Sequence, residues 1–173
     1  MEIRQLQPGD REAMARFLAR VPAADRTFFK EDMADPAVEE SWMAPGPGRT
    51  VAVQDGEIAG WVWLVPLHGW SDHVGEMRLV VNPEHRGRGI GRLLARQAIV
   101  DALALGLKKV VVEVIAVQDE TIRMFRSLGF DPEALLADHV RDRAGELRDL
   151  MVLSQSVDDQ FASMVAAGVV DDI

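Results

Sequence analysis

The sequence predicts a mixed α/β fold, with a mostly antiparallel central sheet flanked by helices. Residues 50–81 contain three short strand patterns joined by turns, which is typical of an antiparallel meander. A helical pattern follows from Ile90, and after it comes the nearly unbroken β-branched run "KKVVVEVIAV". At 173 residues the chain has the length of one ordinary domain, so we expect residues 1–173 to form a single one.

The first fifty residues predict one strand, two helices and a loop. "EIRQL" alternates like a strand, and "PGDREAMARFLARV" has helical spacing with Asp10 as its N-cap. The apolar face of that helix contains Met14, Phe17, Leu18 and Val21. "PAADRTFFKEDM" predicts a second short helix, and the glycines and prolines of "APGPG" predict a loop.

The rest of the chain alternates between strands and helices. The Asp55-Gly56 pair predicts a tight hairpin turn, and "HGWSD" predicts a wider one. The next helix is predicted to end at Gly106, and the β-branched strand after it to be buried on both faces. "DETIRMFRSL" predicts a helix closed by Gly129, and strands around "EALLADHVRD" and "LRDLMVLS" complete the sheet. Residues 157–173 predict a helical tail that packs on its own domain.

Composition excludes several classes of function. The formal net charge is -9, the pI is about 4.9 and no extended basic face is visible, so nucleic acid is not an expected partner. The absence of cysteine excludes disulfides, zinc-thiolate sites and a cysteine nucleophile. The four histidines lack metal-ligand spacing, so no metal is expected. No apolar run reaches the roughly 20 residues that span a bilayer, and no signal region opens the chain; no membrane contact and a cytoplasmic location are therefore expected.

The stretch "VNPEHRGRGIGRLL" concentrates arginine and glycine between a strand and a helix. Glycines at positions 87, 89 and 91 let backbone N–H groups point into one concavity without side chains in the way, and the helix start adds partial positive charge. These features favour a diphosphate site; the alternative is a tight turn with incidental arginines. No Gly-Lys-Ser/Thr follows the loop and its spacing is G-x-G-x-G, which excludes the Walker and dinucleotide patterns.

At these residues the chain resembles the GCN5-related N-acetyltransferases. Their acetyl-CoA signature is Arg/Gln-x-x-Gly-x-Gly/Ala after a strand that ends Val-x-Pro, and here Val81-Asn82-Pro83 precedes Arg86-x-x-Gly89-x-Gly91. "VVVEVIAVQDETIRMFRSLGF" is similar to the family's later strand–helix segment, so that the resemblance spans residues 74–130. "GFDPEALLADHVRDRAGELRDLMVL" resembles the closing hairpin of members that acetylate protein N-termini or small amines.

The resemblance implies the family's fold and transfer of an acetyl group from acetyl-CoA to a primary amine, in a small molecule or at a protein N-terminus. It implies that the glycine-rich turn binds the CoA pyrophosphate, and that the preceding strand binds the pantetheine in a gap opened by a bulge. The residues expected to contact the cofactor are Leu79, Val80, Val81, Arg86, Gly87, Arg88, Gly89, Ile90, Gly91, Arg92, Gln118 and Phe125. Dimers are common in the family, so the resemblance leaves monomer and homodimer open.

Two glutamates are candidates for the base that deprotonates the amine. An ammonium cannot attack a thioester, and a lysine-like amine with a pKa of about 10.4 needs more help than an α-amine near about 8. Glu113 matches a base of some family members, and Glu76 lies on the strand where other members have theirs. The sequence does not rank the two, and a solvent-facing or arginine-paired Glu113 is the alternative.

Two positions depart from the family pattern. The chain contains no tyrosine, and Phe125 occupies the position of the tyrosine that protonates the leaving thiolate. Gln118 stands where the family has asparagine, and solvent or the hydroxyl of Thr121 or Ser127 is the expected substitute for the missing acid. A catalytically impaired acyl-CoA-binding module is therefore the alternative function.

The segment before the "APGPG" loop is the least specific part of the predicted acceptor site. In the family the corresponding segment helps to select the acceptor, so the acidic stretch Glu31 to Glu40 predicts either a cation-attracting rim or a solvated helix. Trp42 beside it either walls an acceptor pocket or caps the core.

Overall fold

The computed structural model describes residues 1–22, 25–32 and 35–169 of the chain. Its strands are β1 (Glu2–Gln5), β2 (Arg49–Gln54), β3 (Glu57–Pro66), β4 (Val74–Val81), β5 (Lys109–Ile115), β6 (Asp131–Arg141) and β7 (Leu147–Ser156). Its α-helices are α1 (Arg11–Ala19), α2 (Pro36–Met43), α3 (Ile90–Ala104), α4 (Asp119–Ser127) and α5 (Val157–Ala166). This element order confirms the predicted mixed α/β class.

Across the described residues the strands form one seven-stranded sheet in the order β1-β2-β3-β4-β5-β7-β6. The predicted meander of β2, β3 and β4 is confirmed, and every neighbouring pair is antiparallel except β4 with β5. Asp55 and Gly56 have φ angles of 52° and 79°, which are the left-handed angles that a two-residue hairpin turn requires.

The parallel pairing of β4 with β5 is short, and the sheet opens beyond it. Val74–Glu76 pair with Lys109–Val111, whereas β4 continues to Val81 and β5 to Ile115. The pairing of β3 with β4 has no register shift, so the bulge expected from the resemblance is absent from that pair. The two strands nevertheless diverge and leave an opening in the middle of the sheet, which we call the β4–β5 gap.

Each face of the sheet carries its own core. Helices α3, α4 and α5 contribute to one cluster of buried side chains, which we call the α3 cluster. Helices α1 and α2 contribute to the other. On β5 the side chains of Val110, Val112 and Val114 are buried in the α3 cluster, whereas Glu113 on the opposite face is exposed. The prediction that this strand is buried on both faces is therefore wrong, because the cluster formed with α1 and α2 reaches Val80 of β4 and includes no described residue of β5.

The second helix lies later in the chain than predicted. Residues Asp25–Phe28 of "PAADRTFFKEDM" form a 3₁₀ turn, while Ala23, Ala24 and Met33 lie outside the described residues. Helix α2 begins instead at Pro36, where the Asp35 side chain accepts a hydrogen bond of 2.8 Å from the Ala37 N–H. An N-cap aspartate followed by proline at the first helical position is a strong start signal, and it determines where this helix begins.

Other predicted boundaries agree with the structure, with one difference in chemistry. Helices α3 and α4 end just before Gly106 and Gly129, as predicted. Asp10 precedes α1 but does not cap it, because its carboxylate binds Arg4 through two contacts of 2.6 and 2.7 Å.

Of the predicted tail, α5 packs its Met164 into the α3 cluster, and residues 170–173 lie outside the described residues. Among the helices that the structure describes, none has the length and apolar character needed to cross a membrane.

Candidate active site

A cleft of about 690 Å³ passes through the β4–β5 gap and is lined from both faces of the sheet. Its volume lies within the range of roughly 300–1,000 Å³ that is typical of ligand sites. On the α3 face the turn Arg86–Arg92 forms what we call the glycine mouth. On the opposite face is the carboxylate mouth, formed by Lys30, Glu31, Glu76, Arg78 and Glu113. One cleft thus joins the predicted phosphate-binding turn to both predicted bases.

Glycine occupies the three positions of the turn for different structural reasons. Gly87 and Gly89 have φ angles of 72° and 80°, which ordinary residues adopt only with strain. A Cβ at either position would meet no atom within 4 Å among the described residues, so the space in front of the turn is open. Gly91 has no such backbone requirement, and a Cβ there would approach the Met124 sulfur to 3.2 Å. The expected clearance for a ligand is therefore present at the first two positions, whereas the third allows close packing against α4.

The start of α3 presents unbonded amides at this mouth. The Leu93 N–H donates to the Gly89 carbonyl at 3.2 Å, which is the first hydrogen bond of the helix. The amides of Ile90, Gly91 and Arg92 precede it and have no acceptor within the helix. Such a helix start, with its partial positive charge, is suited to bind an anion such as a phosphate.

The end of β4 presents alternate peptide groups to the gap. The Asn82 N–H donates to Ala59 on the β3 side at 2.9 Å. Because hydrogen-bonding groups alternate along an antiparallel strand, Val80 also faces β3, whereas the peptide groups of Leu79 and Val81 face the gap. Of the three β4 residues expected to bind the cofactor, Leu79 and Val81 therefore direct their peptide groups into the gap, whereas Val80 lines the cleft without doing so.

The arginines of the turn are less concentrated on the cleft than the sequence suggests. Arg86 donates from Nε to the carbonyl that ends β4 at 3.2 Å, and its Nη2 lies 2.6 Å from Asp25 Oδ2. It therefore holds the turn in place, and part of its charge is neutralised. Arg88 is exposed and does not line the cleft, whereas Arg92 does, together with Arg123 of α4, which the sequence did not indicate.

Helix α4 closes one side of the cleft. Gln118, Thr121 and Phe125 all line it. Phe125 is buried and packs edge to face on Phe130, with 5.3 Å between ring centroids, so its ring belongs to both the core and the cleft wall. Of the two hydroxyls considered from the sequence, Ser127 donates at 2.6 Å to a carbonyl of its own helix and lies outside the cleft lining, whereas Thr121 lies within it.

Glu76 and Glu113 lie on the same face of the sheet, on either side of the gap, and share one ammonium group. Lys30 Nζ is 3.0 Å from Oε2 of each carboxylate. The Glu76 side chain is the deeper of the two, 11% exposed against 31% for Glu113. Burial lowers the pKa of Lys30, but its hydrogen bonds to Glu113 and Glu76 outweigh burial, so the pKa is raised. At neutral pH the two carboxylates therefore hold a cation between them.

Arg78 extends this cluster on β4. Its Nε donates to Glu76 Oε1 at 3.1 Å, and its Nη1 pairs with Glu31. Burial lowers the pKa of Arg78, and the guanidinium lies 5.2 Å from the ring centroid of Trp63. Three carboxylates against two cations leave the carboxylate mouth with one net negative charge, and removal of Lys30 would leave two.

Aromatic residues wall the carboxylate mouth on the side of α2. Trp42 stacks on Trp61 with 4.4 Å between ring centroids, and Phe29 packs against it at 5.1 Å. Trp42 also lines the cleft, and its buried indole Nε1 has no hydrogen-bond partner among the described residues. Both roles expected for Trp42, capping the core and walling a pocket, are therefore combined in one side chain.

The acidic stretch before the loop does not act as one rim. Glu31 belongs to the carboxylate mouth, Asp35 caps α2, and Glu40 pairs with Arg11 away from the cleft. Met33 and Ala34 lie outside the described residues. Within the part of the chain that is described, no group of acidic and histidine side chains has the arrangement of a metal site.

The sequence did not indicate Lys30, Arg78 or Arg123 as site residues. Lys30 is 46 positions from Glu76, and only the fold of the segment between α1 and α2 brings the two together. One signal was available: the sequence has only three lysines, and Lys30 is the only one before residue 108. Because side chains alternate between the two faces of a strand, the sequence of β4 also indicates that Arg78 lies on the same face as Glu76.

A comparison with family models matches residues 15–130 to the acetyltransferase (GNAT) family. The chain is 30% identical over 138 residues to the uncharacterized N-acetyltransferase YjgM of Escherichia coli, covering 75% of this chain and 81% of that protein. It is 39% identical over 89 residues to the mycothiol acetyltransferase of Nocardia farcinica, covering 51% of this chain but only 27% of that protein.

A solved structure reports the same fold. It is described as yncA, a putative acetyltransferase from Salmonella typhimurium with its cofactor acetyl-CoA. It superimposes with a TM-score of 0.75 at 21% identity, covering 91% of this chain and 94% of the other. With the family match over most of the chain and the relative in Escherichia coli, the comparisons lead to one conclusion: the chain belongs to the GNAT family of acetyltransferases.

Proposed function

We propose that this chain transfers the acetyl group of acetyl-CoA to a primary amine. The observation that carries the proposal is a single cleft that joins an amide-lined glycine turn to a carboxylate pair holding an ammonium group. One relative named as an N-acetyltransferase, another named as an acetyltransferase, and a similar structure reported with acetyl-CoA support the same reaction.

The donor half of the site fits the chemistry of CoA. The open space before Gly87 and Gly89 and the free amides at the start of α3 suit a pyrophosphate, and Arg92 adds positive charge at the same mouth. The gap-facing peptide groups of Leu79 and Val81 suit the amides of pantetheine, which would extend β4 like a short added strand. Acetyl-CoA would supply a thioester activated for acyl transfer, and these residues would hold it in the gap.

The acceptor half fits an ammonium ion that must lose a proton. In this proposal the incoming amine replaces the Lys30 ammonium between Glu76 and Glu113. Glu76 is the deeper of the two carboxylates and also accepts a hydrogen bond from Arg78, which fixes its position. We therefore assign orientation of the amine to Glu76, and proton acceptance to Glu113, whose greater exposure lets it pass the proton to solvent.

The leaving thiolate receives no proton from Phe125. A thiol with a pKa of about 8.5 leaves as thiolate at modest cost, so an acid is helpful rather than obligatory. Thr121 lines the cleft beside Phe125 and is the hydroxyl to which we assign any assistance.

The acceptor class follows from the carboxylate mouth. Its net negative charge and its Trp42 wall suit an amine with a compact apolar stem, in a small molecule or at a protein N-terminus. The alternative function, a module that binds acyl-CoA with impaired turnover, is favoured by the buried Phe125 in place of a tyrosine. The retained carboxylate pair favours the enzyme, because binding of CoA alone has no use for it.

Thiol release from acetyl-CoA with a panel of amines tests the proposal. We expect Glu113→Gln to lower kcat/KM by roughly 10²–10⁴ and to remove from the pH–rate profile the acidic limb that a carboxylate base produces. Glu76→Gln should mainly raise the KM of the amine. Glu133→Gln is the matched control, since Glu133 pairs with Lys109 outside the cleft and its loss should leave both parameters unchanged.

Three outcomes would contradict parts of this proposal. An unchanged pH–rate profile in both cleft variants would exclude a carboxylate base. Tight binding of CoA with no acceptor-dependent thiol release would favour the binding module. Absence of any CoA binding would overturn both functions.

A further inference from the structure

We infer that Lys30 is itself an acceptor, and that the chain acetylates this lysine in its own active site. The inference rests on the proposed function, and it assigns a modification site within the same cleft. Lys30 Nζ occupies the position between Glu76 and Glu113 that the proposal gives to the acceptor amine, and its side chain lines the cleft that leads to the glycine mouth.

The chemistry of this step is that of the acceptor reaction. Glu113 takes one proton from the Lys30 ammonium, and the free Nζ forms a bond to the acetyl carbon. The carbon–sulfur bond breaks, its electron pair leaves on the CoA sulfur, and the second proton of the nitrogen passes to the thiolate or to solvent. The products are N-acetyl-lysine at position 30, free CoA and one proton, so atoms and charge balance.

The position of Lys30 in the chain makes this transfer accessible. It lies in the segment between the 3₁₀ turn Asp25–Phe28 and helix α2, outside any regular element, so its reach does not depend on unfolding a helix or strand. Its side chain is only partly buried, which lets solvent carry away the proton. Attachment to the same molecule gives the amine a high effective concentration at the thioester, which favours transfer over a dilute external amine.

The other two lysines are internal controls. Lys108 pairs with Asp158 and Lys109 pairs with Glu133, so all three lysines form an ion pair with a carboxylate. Their side chains are 61% and 35% exposed, and Lys30 at 51% lies between them. Chemical acetylation that follows exposure alone would therefore give Lys30 an intermediate rate. A rate at Lys30 well above both identifies the cleft as the cause.

The consequence of the modification is a change of charge at the carboxylate mouth. The amide of N-acetyl-lysine is neutral and cannot act as a cation between Glu76 and Glu113. The two carboxylates then become available to an external ammonium, so self-acetylation would remove a competitor from the acceptor position.

The experiment incubates the full chain with acetyl-CoA and no amine, and follows acetylation of each lysine by intact mass and peptide mapping. We expect Lys30 to react at least about tenfold faster than Lys108 or Lys109, given the usual size of general-base assistance. Excess CoA should suppress the reaction, urea should equalise the three rates, and the rate per molecule should not change on dilution. The rate should rise with pH, because Lys30 has a raised pKa and only its neutral form attacks.

Two variants separate this inference from the proposed function. Lys30→Arg keeps the positive charge and should abolish the fast acetylation, while Glu113→Gln should slow it in the folded protein. Equal rates at the three lysines, or an unmodified Lys30, would overturn the inference. If amines are still acetylated in that case, the proposed function stands alone; if no thiol is released with any amine and CoA does not bind, both fail.

Discussion

The two mouths of the cleft are built in opposite ways. The glycine mouth is made of backbone groups from one continuous stretch, Arg86–Arg92, and its shape follows from the left-handed angles of two glycines. The carboxylate mouth is made of side chains from β4, β5 and the segment before α2, and its shape follows from ion pairs between them. A site made of backbone tolerates changes of side chain, whereas a site made of ion pairs can be retuned by one substitution. The difference would let one donor-binding mouth be combined with different acceptor-binding mouths.

Among the variants that change substrate affinity, the largest effect is expected at the glycine mouth. Gly89→Ala should raise the KM for acetyl-CoA by about tenfold or more, since strain of about 1–2 kcal/mol at φ 80° is relieved by turning the amides away from the ligand. Steady-state kinetics with varied acetyl-CoA measures it. Gly106→Ala is the matched control, with φ 72° at the other end of α3, no atom within 4 Å of its Cβ, and no place in the cleft lining. An equal loss of affinity in both variants would show that helix stability, rather than the mouth, is responsible.

A smaller effect of opposite sign is expected at the carboxylate mouth. Lys30→Gln removes the internal ammonium and, relative to the chain with unmodified Lys30, should lower the KM for a cationic amine by about two- to fivefold, which corresponds to the usual contribution of a partly exposed ion pair. The KM for acetyl-CoA should not change. A higher amine KM would show that Lys30 positions the acceptor instead of competing with it.

The smallest effect is expected where the two mouths are joined. Arg86 of the glycine mouth pairs with Asp25 of the segment that carries Lys30. Asp25→Asn should raise the KM of both substrates by about twofold, because an ion pair of this exposure contributes less than about 1 kcal/mol. Glu40→Gln, which removes the Arg11 pair on α2 outside the cleft, is the control and should leave both KM values unchanged. An effect on acetyl-CoA alone would show that the two mouths act independently.

The same contrast explains what the sequence predicted. The meander of β2, β3 and β4, the tight Asp55-Gly56 turn and the glycine mouth depend on neighbouring residues, and the first two were predicted correctly from local patterns. The Glu76–Lys30–Glu113 cluster joins residues that are far apart in the chain, and no local pattern encodes it. The sequence named both glutamates through the family resemblance, but their shared ammonium appears only when the segment before α2 is folded against the sheet.

Two predictions about single elements were wrong. Helix α2 was predicted within "PAADRTFFKEDM", whereas the Asp35-Pro36 start signal places its beginning after that segment. Strand β5 was predicted to be buried on both faces, because its β-branched run is nearly unbroken. Burial of a sheet face depends on which elements pack over it, and the core formed with α1 and α2 ends at β4 among the described residues.

The three-residue pairing between β4 and β5 has a mechanical meaning. It is the only strand pairing that joins the β1–β4 half of the described sheet to the β5–β7 half. A ligand that forms hydrogen bonds with the peptide groups facing the gap would connect the two halves of the sheet and stabilise them against separation. Its binding free energy adds to the free energy of unfolding, by about 2.7 kcal/mol at a hundredfold excess over Kd. Amide hydrogens of Leu79 and Val81 should then exchange more slowly, and the melting temperature would report how much acetyl-CoA surrounds the protein.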